Sequence, residues 1–429
     1  MSTSAKRQGY YGWTIVFCAF VVVFLSFSIR GAFSAFLTPM TKELDWSTST
    51  VSAGYSIFIC VYGVTAFFAG AMMDRFGPKP VFIVHGCLLG LGLFLSSFSR
   101  FPWQYYLTYG VLSGIGAGAL FSPPMALVRK WFIKGLGRAT GTATAACGLG
   151  FGLAPIAAMY LIKGLSWHDA MRILGVILAV GVVLVALLTK PNPESIGLHP
   201  PGWEEAQAAA KDNAAGADYS FTLAGAFRTA TFWLLIIAYI FQNFSEFVFQ
   251  SQSLNYATTE LGFERVTSTY IYALAGLVYM CIGPIIGIVI DRLTVKFSNN
   301  AFKARKLALA VEYTVAILAG IYSLFIRTPA MYAVYTCLFG LTCGTYIPTI
   351  VGQFGECFGR KYSGRILGVA TLFGQGIGGA LGPFLAGYLR DMTGNYHLSF
   401  TVGTITYACA LVLTQLARKP QQKPTGITN

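Results

Sequence analysis

Two charged side chains stand in stretches of sequence that are otherwise apolar. Arg30 lies in the run that begins near residue 11, ten residues before Met40, and Glu246 lies in a later run, between Ser245 and Phe247. A guanidinium binds a carboxylate through two parallel hydrogen bonds, and a buried carboxylate can exchange a proton. Together, these residues could bind an organic anion and couple its binding to a proton.

The depth of Arg30 favours a functional role. At 1.5 Å per helical residue, it lies about 15 Å from the end of its run. A charge at that depth in a membrane costs about 2.5 kcal/mol or more unless it meets an anion, water or carbonyl groups. The alternative is a side chain that snorkels to the membrane surface. We expect Arg30 to face an interior cavity and bind substrate.

Glu246 belongs to a set of polar residues at helical spacing, Asn243, Glu246, Gln250 and Ser253. This spacing predicts one polar stripe that faces water. Burial disfavours the charged form of a carboxylate, whereas a nearby cation favours it, so protonation of Glu246 could decide whether Arg30 is free to receive an anion. The alternatives are a structural glutamate and a static ion pair with Arg30.

The elements that must position these residues are membrane helices. Hydrophobic residues make up 55% of the chain and charged residues only 11%, whereas charged residues are about a quarter of a soluble domain. Twelve apolar runs between residues 11 and 417 are each long enough to cross a bilayer of about 30 Å. The first run is longer than the core of a signal peptide and is predicted to be retained.

The charged residues lie mostly between these runs. The net charge of +14 could indicate nucleic-acid binding. However, with both termini in the cytoplasm, most of the Lys and Arg fall in cytoplasmic loops and tails, as the positive-inside rule requires. The sequence therefore predicts a multi-pass protein of the cell inner membrane that binds no nucleic acid.

The chain divides into two halves of similar length. We predict an N-terminal six-helix bundle over residues 1–190, a cytoplasmic linker over 191–225, and a C-terminal six-helix bundle with a short cytoplasmic tail over 226–429. Such duplication is common in secondary transporters. The fold class is therefore all-α, with two pseudo-symmetric bundles of six transmembrane helices each.

A charged motif recurs after the second and eighth runs. The first copy contains Gly70-x-x-x-Asp74-Arg75-Phe76-Gly77-Pro78-Lys79, and the second contains Gly287-x-x-x-Asp291-Arg292. The glycine permits close approach of helices, and the charges can pair at the cytoplasmic face. The predicted gating residues are Gly70, Asp74, Arg75, Gly77, Lys79, Asp291 and Arg292.

The first copy resembles the loop signature of the major facilitator superfamily. Further segments resemble its monocarboxylate-porter branch and the sibling oxalate/formate antiporters: Tyr11-Gly12-Trp13, Leu44-Asp45-Trp46-Ser47, Arg129-Lys130-Trp131-Phe132, Gly135-Leu136-Gly137-Arg138, and Phe227-Arg228-Thr229 with Phe232-Trp233. The resemblance implies alternating access of the two halves, with Asp74 and Arg75 in gating.

Two departures from that branch affect the substrate. The branch often carries an arginine before a proline in its eighth helix, where this chain has Cys281-Ile282-Gly283-Pro284. Oxalate/formate porters carry a lysine in the eleventh helix, where Gln375 is the one strongly polar group here. Arg30 must therefore carry more of the anion binding, and a dicarboxylate would lack a second cation.

The remaining pocket candidates are polar or aromatic residues of the second half. Tyrosines of the eighth and tenth runs could shape a pocket with polar tips, and one or two of them are expected to touch substrate. The predicted substrate-binding set is Arg30, Asn243, Gln250, Tyr279, Tyr335, Tyr346 and Gln375, with Glu246 for proton coupling.

These patterns predict a secondary active transporter of a small organic anion, with a monocarboxylate favoured. It would work by proton symport or anion exchange, so its partners would be the anion, protons or a counter-anion, and the bilayer. We expect a monomer without enzyme activity, cofactor or metal. The alternatives are a proton-driven exporter of an uncharged or cationic compound, and a membrane ligand sensor that transports nothing.

Overall fold

The computed structural model describes residues 3–200, 202–203, 220–298, 300–359 and 363–420, and side chains from residue 11 onwards except that of residue 363. Within these ranges every long element is a helix, and twelve helices are long and apolar enough to cross a membrane. The spans are α1 (Tyr11–Leu44), α2 (Thr48–Phe76), α3 (Pro78–Ser96), α4 (Pro102–Trp131), α5 (Leu136–Gly164), α6 (Trp167–Leu187), α7 (Ala230–Glu260), α8 (Arg265–Lys296), α9 (Ala301–Ser323), α10 (Pro329–Phe358), α11 (Gly364–Thr393) and α12 (His397–Leu416).

The all-helical fold and the number of spans are as predicted. Hydroxyl groups begin several spans, because a side-chain oxygen satisfies a first-turn amide that has no partner within the helix. Ser47 accepts from the Thr50 amide, Ser166 from the Asp169 amide and Thr328 from that of Met331. The division at residues 190 and 226 stays a prediction, and residues 204–219 of the predicted linker lie outside the described ranges.

Because the number of spans is even, α1 begins and α12 ends at the same end of the bundle. We call this the terminal end and the opposite one the far end. Within the first half, α1 packs on α5 and α3 on α6; within the second, α7 packs on α12 and α8 on α10. The halves meet where α2 packs on α11, α5 on α8 and α1 on α7.

Glycines bring the halves close together near mid-membrane. A Cβ atom at Gly276 of α8 would meet the backbone of Gly148 and Gly152 of α5, and one at Gly63 of α2 would meet Gly376 of α11. Small residues of this kind let helix backbones approach closely in lipid.

Glycines nearer the terminal end lack such close contacts. A Cβ atom at Gly70 of α2, Gly141 of α5 or Gly287 of α8 would have no neighbour within 4 Å. These positions lie about two to three turns closer to the terminal end than the glycines in contact. We infer that α5 and α8 separate towards the terminal end, whereas α2 and α11 stay in contact there through Phe67 and Gly368.

Three spans contain a π-helical turn: Tyr106–Leu112 in α4, Tyr256–Glu260 at the end of α7, and Gly374–Gly379 in α11. Such turns shift the side-chain register by one residue and are frequent at functional positions. The turn in α11 contains Gly376, which contacts α2 of the other half.

Candidate functional site

Arg30 lies inside the bundle, with only 4% of its surface exposed. Its guanidinium carbon is 4.0 Å from the ring centre of Tyr62 and 4.7 Å from that of Phe27. Aromatic faces attract a cation but offer no hydrogen-bond acceptor. Nε and Nη2 have no hydrogen-bond partner, so Arg30 does not snorkel and two of its donor atoms are unused.

Glu246 of α7 is the acidic counterpart of Arg30. Its side chain is partly accessible, lies beside Gln242 and Cys343, and interacts electrostatically with Arg30. With Nε and Nη2 unpartnered, the guanidinium does not hold Glu246 in a two-pronged ion pair. The guanidinium therefore keeps donor atoms that a small anion could use in competition with Glu246.

Two further side chains complete a central site, which we define as Arg30, Tyr62, Cys147, Glu246 and Tyr279. Tyr279 of α8 interacts electrostatically with both Arg30 and Glu246, and it lies beside the Cys147 thiol of α5. Residues of both halves therefore surround one charged pair. A site between two halves can open to either side of a membrane in turn.

The other predicted substrate ligands lie outside this central site. The Asn243 amide donates to the carbonyl of Tyr239 in its own helix, at 2.8 Å. Tyr335 hydrogen-bonds through its hydroxyl with Ser253 at 2.8 Å, towards the far end. Tyr346 is buried 5.6 Å from the Tyr239 ring, on the Glu246 side, and its hydroxyl has no partner.

Gln250 and Gln375 lie between the halves. The Gln250 side chain accepts from the Tyr55 hydroxyl of α2 at 2.9 Å. Gln375 belongs to the π-helical turn of α11, next to the point where α2 and α11 meet, and its Oε1 has no hydrogen-bond partner. The assignment of both residues to substrate binding stays a prediction.

The prediction that the polar stripe of α7 faces water was wrong. Asn243, Gln250 and Ser253 are each less than a tenth exposed, and only Glu246 is partly accessible. The stripe is polar because it bonds to neighbouring helices and to its own backbone. Periodicity shows which residues share a face, but it does not distinguish water from polar neighbours.

The predicted gating residues lie at the terminal end. Asp74 is exposed and pairs with Lys130 of α4 at 3.8 Å. Gly77 adopts a left-handed φ of 77°, which ends α2 before Pro78 begins α3. In this conformation the first motif makes contacts within its own half.

The remaining members of the two motifs are likewise exposed. The Arg75 guanidinium lies 5.2 Å from the ring centre of Phe76, and Lys79 and Arg292 point away from the packed core. Asp291 interacts electrostatically with Arg305 of α9, which lies 4.0 Å from Glu356. A gating role for these residues stays a prediction.

Side chains of the two halves join at the far end. Thr38 of α1 donates to the Asn255 amide oxygen at 2.6 Å, and the Asn255 amide nitrogen donates to the carbonyl of Ser34 at 3.2 Å. Arg265 of α8 donates to the carbonyl of Ala35 at 2.6 Å. Within the described ranges, the hydrogen bonds between the two halves lie on the far-end side of the molecule. The far end is therefore closed.

Asp391 of α11 makes a further link between the halves. Its carboxylate accepts from the backbone amides of Thr48 at 3.2 Å and Ser49 at 2.7 Å, the first two residues of α2. These amides have no partner within the helix, and the positive end of the helix dipole favours an anion there. One half of the molecule thus caps a helix of the other.

We expect Asp391→Ala to loosen the far end. Losing hydrogen bonds to a charged group costs about 1.5 kcal/mol, which corresponds to about tenfold faster exchange of the α2 first-turn amides. Hydrogen exchange of the peptide around residues 46–55 measures this rate. Asp169→Asn is the control, because Asp169 bonds within one half to Ser166 and Arg172. Unchanged exchange in Asp391→Ala would show that the cap does not hold the far end closed.

The sequence reasoning missed several residues that the structure places near the central charges. Tyr62, Cys147 and Cys343 are aromatic or thiol side chains whose types do not separate them from packing residues. Glu312 of α9 differs, because an acidic residue within an apolar span is a functional candidate by the rule that identified Glu246. That rule, applied to every span, would have found it.

Twelve spans in two halves around a shared pair of opposite charges define a membrane transporter. The model of the Major Facilitator Superfamily matches residues 17–376, and the chain belongs to this family.

The relatives confirm the resemblance to the monocarboxylate-transporter branch. Monocarboxylate transporter 13 of Bos taurus is 27% identical and aligns over 98% of this chain and 94% of its own. Monocarboxylate transporter 1 of Mus musculus is 24% identical over 95% of this chain and 83% of its own. A crystal structure of the nucleoside transporter NupG, in a mutant form, matches this structure with a TM-score of 0.70 at 13% sequence identity. The match covers 94% of this chain and 98% of the NupG chain, and it supports the fold alone.

Proposed function

We propose that this protein is a secondary active transporter of a small organic monocarboxylate, working by alternating access. The observation that carries the proposal is the buried Arg30 guanidinium, which has unused donors and Glu246 close by. A carboxylate can accept two hydrogen bonds from one guanidinium. Arg30 is the one cation among the residues of the central site, which suits a substrate with a single negative charge.

The surroundings of Arg30 suit the rest of such a molecule. Phe27 and Tyr62 lie against the guanidinium, and Tyr279 lies nearby from the other half. Ligand sites typically combine apolar walls with a few polar groups that fix orientation. The relatives named as monocarboxylate transporters support the same substrate class.

Coupling follows from the competition between Glu246 and substrate for Arg30. In the empty site, the ionised Glu246 neutralises the guanidinium. An incoming carboxylate takes over that task, and Glu246 then takes up a proton because an unpaired buried charge is unfavourable. Anion and proton cross together; if Glu246 keeps its proton, the same site exchanges one anion for another.

We further propose that the protein resides in the cell inner membrane as a monomer with both termini cytoplasmic. The positive-inside distribution of Lys and Arg supports this orientation. The terminal end, where α5 and α8 separate, would then open towards the cytoplasm, while the far end, capped by Asp391, faces outwards. The Asp74 and Arg75 motif would act in the opposite conformation, when the terminal end closes.

A competition assay in proteoliposomes tests the substrate class. Purified protein is screened by thermal shift with lactate, pyruvate, acetate and benzoate, and the stabilising acid is used as radiolabel in counterflow. Each acid is then compared as a competitor with its own primary amide, which differs mainly in charge. We expect the acid to compete at least about thirtyfold better, because the amide cannot pair with Arg30. Equal competition by the amide would favour an uncharged substrate instead.

A further inference from the structure

A second carboxylate lies within the membrane region of the second half. Glu312 of α9 is only 3% exposed, and neither of its carboxylate oxygens has a hydrogen-bond partner. Buried polar groups in proteins are nearly always satisfied, so such a group calls for an explanation. An ionisable residue at this depth is costly and is commonly linked to proton or ion pathways.

Gln242 of α7 connects this carboxylate to the central site. It is fully buried, and both its amide oxygen and its amide nitrogen lack hydrogen-bond partners. It lies one helical turn before Glu246, on the same face, and its side chain is beside both Glu246 and Glu312. The two carboxylates also interact electrostatically with each other. Two polar side chains without hydrogen-bond partners, those of Gln242 and Glu312, are thus grouped beside Glu246.

Within the described part of the chain, the helices packed against α9 bring no cation to Glu312. Its ionisable neighbours besides Glu246 are Tyr313 on its own helix, Cys343 and Tyr346 on α10, and Tyr407 on α12. The acidic group that α8 brings to α9 is Asp291, which faces Arg305. Arg305 lies about two turns from Glu312 along α9. Two carboxylates that share a buried site cannot easily be ionised together.

We propose that Glu312 is a second proton-carrying group of the transport cycle, which exchanges protons with Glu246 next to Gln242. When an anion occupies Arg30, the O–H bond of Glu312 breaks and an O–H bond forms on Glu246. Glu312 then regains a proton from the aqueous side. The empty state and the fully loaded state are both neutral at the centre, because a single carboxylate, that of Glu246 or that of the anion, balances Arg30. The ionised Glu312 is a transient intermediate that ends when it regains a proton. This inference rests on the proposed proton coupling.

Infrared spectroscopy tests the protonation without any substrate. We expect the native protein to show the carbonyl stretch of a protonated carboxyl group that is absent from Glu312→Gln. We also expect the pH midpoint of the Glu246 band to move by at least about one pH unit in that variant, because coupled sites titrate as a unit. Tyr313→Phe, which removes an adjacent unpartnered hydroxyl, should change neither. A spectrum and midpoint of Glu312→Gln equal to the native ones would overturn the proposal.

Transport gives the second measurement. With acetate, lactate and benzoate as probes, Glu312→Gln should keep anion exchange but lose at least about tenfold of pH-gradient-driven uptake, because proton delivery to Glu246 is slowed. Size-exclusion profiles and thermal unfolding establish that the variant is folded. If native protein transports none of these anions, the proposed function fails. If it exchanges them but shows no proton-driven uptake, the proposed proton coupling fails, and the role of Glu312 with it. If native protein shows proton-driven uptake and Glu312→Gln matches it, only the role of Glu312 fails.

Discussion

Arg30→Ala is expected to abolish saturable anion binding and transport while the protein stays folded. Removing one member of a buried, hydrogen-bonded charge pair costs about 2–5 kcal/mol, which corresponds to a loss of affinity of at least about thirtyfold. The native guanidinium offers Nε and Nη2, neither of which has a hydrogen-bond partner. Binding is measured as the thermal shift produced by the acids that stabilise native protein, and transport as counterflow of the same acids.

Two further variants make this result specific. Arg30→Lys keeps the charge but not the planar pair of donors, so we expect weakened binding that is not abolished. Arg172→Ala is the matched control, because Arg172 is also an arginine of the first half but pairs with Asp169 and lies over Phe98, away from the centre. Normal binding by Arg30→Ala would place the anion site elsewhere.

Glu246→Gln is expected to uncouple transport from protons. Glutamine resembles the protonated glutamate and cannot ionise, so it does not compete with the anion for Arg30. In native protein, lower pH protonates Glu246 and frees the guanidinium, and affinity should rise by up to about tenfold per pH unit for one linked proton. In Glu246→Gln, affinity should stay high across the same pH range. Anion exchange should continue, but an inward proton gradient should no longer concentrate substrate.

Binding measured against pH, together with counterflow and gradient-driven uptake in one proteoliposome preparation, separates these effects. Glu264→Gln is the control, because Glu264 is an exposed carboxylate at the start of α8 that accepts from Thr267. It should retain the native pH dependence. Retained proton dependence in Glu246→Gln would exclude Glu246 as the coupling group.

The sequence was sufficient for the architecture and for the two central charges. Membrane spans follow from apolar length, and Arg30 and Glu246 stand out because hydrocarbon disfavours both. The same argument applied to α9 would have identified Glu312, so the sequence contained the information needed to predict this residue. By contrast, the Tyr55 to Gln250 hydrogen bond joins residues 195 apart in the chain, and no local pattern specifies that pairing.

The interpretation of the α7 stripe shows a second limit. The polar groups on one face of an apolar helix can hydrogen-bond either to water or to neighbouring side chains, and only the packing of the helices decides between the two. Ser253 faces Tyr335, whereas Glu246 remains partly accessible. The π-helical turns of α4, α7 and α11 were also not predicted, since a single wide turn leaves little trace in hydrophobic periodicity.

The pairing of Arg30 with Glu246 in one site has a consequence for the energetics of the cell. Moving one elementary charge across a potential of 100 mV changes its energy by about 2.3 kcal/mol. In the proposed cycle the empty carrier holds Arg30 with an ionised Glu246, and the loaded carrier holds Arg30 with the anion and a protonated Glu246. Both cross the membrane without net charge at the centre. The membrane voltage would then neither drive nor oppose uptake, and the pH gradient alone would set how far the anion accumulates.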